Sequence, residues 1–231
     1  MVTIALGFII YPGVTQLDFT GPWEVLSRVP GARCHLVAHD RTPVGAHDGL
    51  VFQPTTGFAD CPRLDVLCVP GGHGHLAAML DPVLLAFLRR QADHCRYVTA
   101  VCTGSLVLAA AGLLKGYRAT THWNAHHRLA MFGAIPANAR VVIDRDRITG
   151  GGVTAGIDFG LTLAARLADE RTARAIQLQI EYAPAPPFAD GTPATAAPAL
   201  VAALRETLAP YRARMDEVDA MALARLDGRS G

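Results

Sequence analysis

The chain has 231 residues, of which 51% are apolar, and a net formal charge of +1, enough for one domain with its own core and without the basic excess of a nucleic-acid binder. No segment stays apolar long enough to span a bilayer. The run Val2–Tyr11 lacks the charged flank and small-residue cleavage site of a signal peptide, which leaves a buried strand. The five cysteines, Cys34, Cys61, Cys68, Cys95 and Cys102, show no C-x-x-C spacing and fit a reducing cytoplasm.

A near-continuous apolar strand, Thr3–Tyr11, opens the chain, as a sheet covered on both faces requires. A helix over Thr15–Arg28 follows. Thr15 and Asp18 have the spacing of a T-x-x-D capping box, and Pro22 is expected to bend or restart the helix near Thr20 and Gly21. Strands Arg33–His39, Leu50–Gln53 and Asp65–Val69 come next, the last running into Pro70-Gly71-Gly72-His73-Gly74. Helix Pro82–His94 leads to strand Tyr97–Val101. Helix Thr103–Ala111 is apolar on nearly every side, so it should be buried and stop at Gly112. Helix Trp123–Phe132, strands Arg140–Asp144 and Arg147–Thr149, and helices Ala155–Leu167 and Glu170–Tyr182 complete the body. The proline-alanine stretch Pro184–Pro198 reads as a rigid, extended connection to a last helical stretch between Ala197 and Leu226.

Strands alternating with helices predict right-handed crossovers and a doubly wound, mostly parallel α/β sheet with helices on both faces. The expected organisation is a single domain over 1–231, with 184–231 as an arm and terminal helix. In such a sheet the working site lies beyond the carboxyl ends of the strands.

The most informative segment is Val-Thr-Ala-Val-Cys-Thr-Gly-Ser-Leu, residues 98–106. A strand stops on one cysteine, and small polar residues open an apolar helix. That layout sets Cys102 on a nucleophile elbow, where the first-turn N–H groups favour the thiolate. Asp18 leaves the first strand toward the same edge. A carboxyl facing the thiol would share one proton with it and serve as a general acid, a role compatible with a place in the capping box. The Pro70–Gly74 turn lacks the order of a dinucleotide or P-loop motif, and reads better as close backbone approach, with N–H groups near Gly72 and Thr103 aimed at developing charge.

His73, His75, His122, His126 and His127 invite a metal reading. No H-E-x-x-H appears and no cysteine stands at ligand spacing, so neither a metal nor another cofactor is expected. His122, in Thr-Thr-His-Trp, follows the elbow helix and can return to the site. Gly150-Gly151-Gly152-Val153-Thr154-Ala155 precedes a helix and offers backbone contacts to a pocket, and Tyr182 offers a phenol.

At these residues the chain resembles the PfpI-type superfamily, which has the class I glutamine-amidotransferase-like fold, a flavodoxin-like architecture. Ala-Val-Cys-Thr-Gly-Ser, Val-Pro-Gly-Gly-His-Gly, Ala-Thr-Thr-His-Trp, Thr-Gly-Gly-Gly-Val-Thr-Ala-Gly-Ile-Asp and Gln-Ile-Glu-Tyr-Ala-Pro-Ala-Pro-Pro-Phe carry the resemblance over about residues 2–190. It is most similar to the isocyanide-hydratase branch. Asp18 stands where the superfamily often has glutamate, and Thr103 stands where the protease-like branch has histidine.

The resemblance implies a homodimeric lyase that adds water to a small-molecule isocyanide and yields an N-substituted formamide. Cys102 would be the nucleophile and Asp18 the proton donor. Gly72, Thr103 and Gly151 would support the intermediate, while His122, Tyr182 and Val153 would line the pocket. Two rivals keep the cysteine: a glyoxalase or deglycase acting on α-oxoaldehydes, and a redox sensor whose thiolate oxidises to sulfinic acid. The amidase-like domains of AraC-type regulators share the Cys-Thr-Gly and Thr-Thr-His-Trp pieces. The stretch beyond Thr195 is too short and too weakly basic for their helix-turn-helix modules.

Overall fold

A computed structural model of the protein describes residues 3–228. Among these, a seven-stranded sheet is built from β1 (Ile4–Ile9), β2 (Ala32–Ala38), β3 (Thr56–Gly57), β4 (Val66–Val69), β5 (Tyr97–Val101), β6 (Val141–Asp144) and β7 (Arg147–Gly150). The spatial order is β6-β7-β5-β4-β1-β2-β3, and every neighbouring pair is parallel except β6 with β7. Parallel neighbours need crossovers. They are supplied by α1 (Leu17–Leu26), by α2 (His75–Ala78) with α3 (Pro82–Ala92), and by α4 (Gly104–Ala110). After β7 come α5 (Ala155–Leu167) and α6 (Glu170–Gln179). Helix α1 packs on α5, whereas α3 and α4 pack together over β4 and β5. The sheet is therefore doubly wound. From the adjacent strands β1 and β4 the chain crosses in opposite directions, leaving a switch point between them, where such sheets bind their ligands.

The sequence pattern explains most of these elements. The four residues of β4 are all buried, and so are the last four of β1. Helix α4 is buried at every position and ends as expected: Gly112 has φ +80°, its N–H donates to Ala109 O at 2.8 Å, and Leu113 N–H donates to Leu108 O at 3.0 Å. These two bonds close a Schellman motif.

Four expectations need correction. Of Leu50–Gln53, only Val51–Phe52 is extended, and it pairs with Val44–Gly45 outside the sheet. Val51 is 66% exposed and Pro54 has no N–H to extend a ladder, so the edge strand falls to Thr56–Gly57. Helix α1 runs unbroken through Pro22, packed so closely on α5 that a Cβ at Gly156 would stand 2.9 Å from the proline ring. Trp123–Phe132 is a 3-10 helix that ends on Gly133 in the left-handed region. The mostly exposed stretch from Pro184 to Pro198 is not uniformly extended, because a turn closes between Thr192 and Ala196 at 2.8 Å.

The last helical stretch is two helices, α7 (Pro198–Thr207) and α8 (Ala209–Asp227), separated at Leu208 just before Pro210. Helix α7 has no buried residue. Helix α8 buries Met215, Val218, Asp219 and Ala222, one helical stripe, and its three apolar members join the main core. Among the described residues, no helix is long and apolar enough to cross a membrane.

Candidate active site

Three loops meet at the carboxyl edge of the sheet, after β1, β4 and β5. The last holds the elbow. Cys102 has φ +58°, a left-handed conformation uncommon for a side-chain-bearing residue and typical of functional turns. Its backbone is fixed on both sides: the N–H donates to Gly151 O at 2.8 Å, and the carbonyl accepts Thr121 Oγ1 at 2.7 Å. Gly104 is required because a Cβ there would lie 2.0 Å from Val69 O.

Asp18, the second residue of α1, is completely buried. The expected capping box is not formed, since the Thr15 carbonyl accepts the Asp18 N–H at 3.1 Å and no side chain caps α1. The carboxyl reaches across instead to the β4 loop, where Gly71 N–H donates to Oδ2 at 2.9 Å. Oδ1 has no hydrogen-bond partner. Burial pushes the Asp18 carboxyl up to about 7, against the Gly71 N–H and the Cys102 thiol, which draw it down. On the thiol the same environment acts the other way from expectation. Burial and the Asp18 carboxyl raise Cys102 well above the usual thiol range, outweighing the Thr103 N–H and hydroxyl that lower it. Both groups are thus pushed toward their protonated forms, and they compete for protons within one buried site.

Glycine geometry brings these parts together. A Cβ at Gly71 would sit 2.5 Å from both Thr103 N and Oγ1 and 2.9 Å from Asp18 Oδ2. Gly72, with φ +119°, would clash with Thr15 N at 2.3 Å. The expected donors are therefore partly committed: Gly72 N–H donates to Thr103 Oγ1 at 3.1 Å, and Gly151 N–H donates to Arg140 O at 2.9 Å. Thr103, with its N–H and hydroxyl both acting on the sulfur, is the donor left at the reacting atom.

His122, Gly151 and Val153 line an adjoining cavity of about 730 Å³, together with Thr121, Trp123 and Arg205 among others. The sulfur of Cys102 is not part of that lining, but two residues that hold its backbone, Thr121 and Gly151, are. Burial lowers the proton affinity of His122, whose Nδ1 accepts Asn124 N–H at 3.3 Å, so its ring is neutral. Tyr182 is absent from the lining. Its hydroxyl donates to Asp158 Oδ2 at 2.9 Å, which also holds Arg140. Among the described residues no three His, Cys, Asp or Glu side chains converge as metal ligands.

Two tyrosines that act on the sulfur, Tyr11 and Tyr211, are not singled out by the sequence, and His75 stands there only as a metal candidate. Tyr11, at the end of the first apolar run, donates its hydroxyl to Pro70 O at 2.5 Å. His75 is fully buried against Gly72, and Tyr211 arrives from α8. Tyr11 is placed by its position at a strand's end; nothing local in the sequence brings Tyr211 to this edge.

Residues 5–166 match the DJ-1/PfpI family. The chain belongs to that family. This DJ-1/PfpI chain is 53% identical over 226 residues to the isonitrile hydratase of Pseudomonas putida, covering 98% of this chain and 99% of that protein. It is 34% identical over 172 residues to the HTH-type transcriptional regulator GbdR of Pseudomonas aeruginosa, covering 70% of this chain but 46% of the regulator. The crystal structure of a ThiJ/PfpI family protein from Pseudomonas syringae superposes with a TM-score of 0.92 at 46% identity, covering 96% of this chain and 91% of that one. The DJ-1/PfpI resemblance read from the motifs is thus borne out, as is the doubly wound fold class.

Proposed function

We propose that this DJ-1/PfpI chain is an isocyanide hydratase, converting R–N≡C and water into R–NH–CHO. Its similarity to the Pseudomonas putida isonitrile hydratase along nearly the whole of both chains carries this reading. The buried pairing of Asp18 with Cys102 supports the chemistry. The Asp18 carboxylate takes the thiol proton, and the sulfur attacks the terminal carbon. Asp18 then returns the proton to that carbon, giving a thioimidate, Cys102–S–CH=N–R. Water adds to the same carbon, and collapse of the adduct releases the formamide and the thiol. Covalent catalysis divides one difficult hydration into easier steps. Thr103 supports the sulfur through two donors, and His122, Gly151 and Val153 shape the neighbouring cavity, with an apolar R group as the fitting substrate class.

The working unit in this reading is a single-domain homodimer in the cytoplasm. The shared core of α8 and the sheet supports one domain, exposed Leu178, Phe188, Leu200 and Leu204 support a covered face, and five free cysteines support a reducing compartment.

Formamide production from cyclohexyl isocyanide, followed by NMR, tests the assignment. The wild type should turn over, Cys102→Ala should not, and methylglyoxal should yield no lactate. Turnover by Cys102→Ala ends the covalent route, and lactate without formamide favours the α-oxoaldehyde enzyme.

A further inference from the structure

Helix α8 lies outside the family match, yet it brings a phenol to the sheet's carboxyl edge. The Tyr211 hydroxyl oxygen is 3.3 Å from His75 Nδ1, and its ring centroid is 4.7 Å from that of His73. His75 Nδ1 is in turn 2.8 Å from the Gly72 carbonyl oxygen. That contact fixes the direction of the whole chain. A carbonyl can only accept, so Nδ1 carries the proton. Toward the same N–H the tyrosine oxygen can then act only as a second acceptor, and its own proton remains free to be donated. Gly72 ties this arrangement to the elbow, because its N–H, in the preceding peptide unit, donates to Thr103 Oγ1 at 3.1 Å.

Building on the hydratase reading, we propose that Tyr211 is a catalytic acid for the second half of the reaction, donating its hydroxyl proton to the nitrogen of the thioimidate as water adds. The atoms balance. As the water oxygen bonds to carbon, nitrogen takes the tyrosine proton and Asp18 takes one from the water, giving Cys102–S–CH(OH)–NH–R. When the C–S bond breaks, the hydroxyl proton of the adduct returns to Tyr211 and Asp18 protonates the leaving sulfur. Thiol, carboxylate and phenol are all restored, and one water has been consumed.

Two further observations agree. Burial and the nearby Cys102 push the Tyr211 phenol up to about 12, so it rests protonated, as a donor must. Buried His75, drawn down to about 4 chiefly by burial, stays neutral and keeps a single N–H, which preserves the direction of the contact. The phenol is also held firmly. Arg128 ties α8 to the 3-10 helix at two points, through Asp219 and through Nη2, which donates to Arg212 O at 3.2 Å, one residue after Tyr211.

The test uses Tyr211→Phe in the full chain with cyclohexyl isocyanide, because phenylalanine keeps the ring against His73 and removes only the hydroxyl. Thioimidate formation needs no proton from Tyr211, whereas its hydration does. The variant should lose about 100-fold in kcat. Intact mass after rapid quenching should show the protein plus one isocyanide, an adduct too short-lived to accumulate in the wild type. The rate at which iodoacetamide alkylates Cys102 should not change. Unaltered kcat overturns the assignment, and so does a fall in kcat with no adduct and a parallel fall in alkylation, the mark of a merely structural role. Fluorotyrosine at 211 gives a second reading, in which a more acidic phenol speeds adduct decay; unchanged decay again overturns it. Failure of the hydratase reading looks different: the wild type would make no formamide and take up no isocyanide at Cys102, and the tyrosine's role would fall with it.

Discussion

Arg128, on the 3-10 helix, and Asp219, on α8, form an ion pair in which each side chain is 1% exposed. A second carboxylate, Asp216, reaches the same guanidinium at 2.8 Å but is itself 71% exposed. Arg128 Nε and Asp219 Oδ1 find no partner, so the pair is only partly satisfied. Breaking a buried pair costs about 3–5 kcal/mol, while an apolar pair of similar size is often neutral; without Asp219 the buried guanidinium keeps only the exposed Asp216, which puts the loss toward the lower end. Asp219→Ala should therefore lower the urea midpoint sharply, and Arg128→Met with Asp219→Leu should restore most of it. Equal losses in the single and double variants would contradict this account.

A methyl group at position 71 should damage the site from within. It would meet Thr103 and Asp18 at once, and the Thr103 neighbour is backbone, which cannot step aside. Gly71→Ala should lower both the melting temperature and formamide production, the latter by at least about tenfold, as expected when reacting groups are misplaced. Gly45→Ala, where a Cβ meets nothing within 4 Å, is the control and should leave both unchanged.

Stability should depend on pH through Asp18. Its carboxyl is raised from the ordinary 3.8 to about 7, so the folded chain holds this proton more tightly than the unfolded chain. The associated stability is fully present below about pH 4 and is lost as pH rises through about 7. The displacement corresponds to roughly 4 kcal/mol. Asp18→Asn should lack this slope, and compared with the wild type by urea denaturation it should gain most at pH 8 and least at pH 4. A constant difference across that range would refute the shift. Activity carries the opposite sign on its acid limb, because the carboxylate must accept the thiol proton: kcat/KM should rise toward a plateau as pH passes about 7.

The hydroxyl of Thr103 has two duties, accepting from Gly72 N–H and acting on the sulfur. Thr103→Val keeps the shape but leaves a buried N–H unpaired, at a cost of about 1–3 kcal/mol. It should also slow alkylation of Cys102 by iodoacetamide, and Thr103→Ser should restore both. A valine variant that alkylates at the wild-type rate would remove the threonine from the sulfur's environment.

The layered fold and its central pair were legible because they rest on short-range signals. The apolar run ending at Tyr11, the elbow at Cys102 and the glycines at 71 and 72 are each readable in a window of a few residues. The state of the sulfur was not, since burial outweighs the first-turn N–H groups and burial depends on the whole surrounding core. Nor was the commitment of Gly72 and Gly151 to internal partners, which involves Thr103 and Arg140. The stripe Met215, Val218, Asp219 and Ala222 is a plain helical period, but an aspartate within it hides the buried face until Arg128 is seen opposite.

The wall of the 730 Å³ cavity comes from two parts of the chain with different standing. His122, Gly151 and Val153 lie within the stretch shared across the family, whereas the turn at Gly191–Ala194 and Arg205 of α7 lie beyond it. Lengthening, shortening or recolouring that outer segment reshapes the chamber and leaves the thiol and its carboxyl untouched. Selectivity among R groups can thus drift in one region while Cys102 and Asp18 are inherited intact in the other.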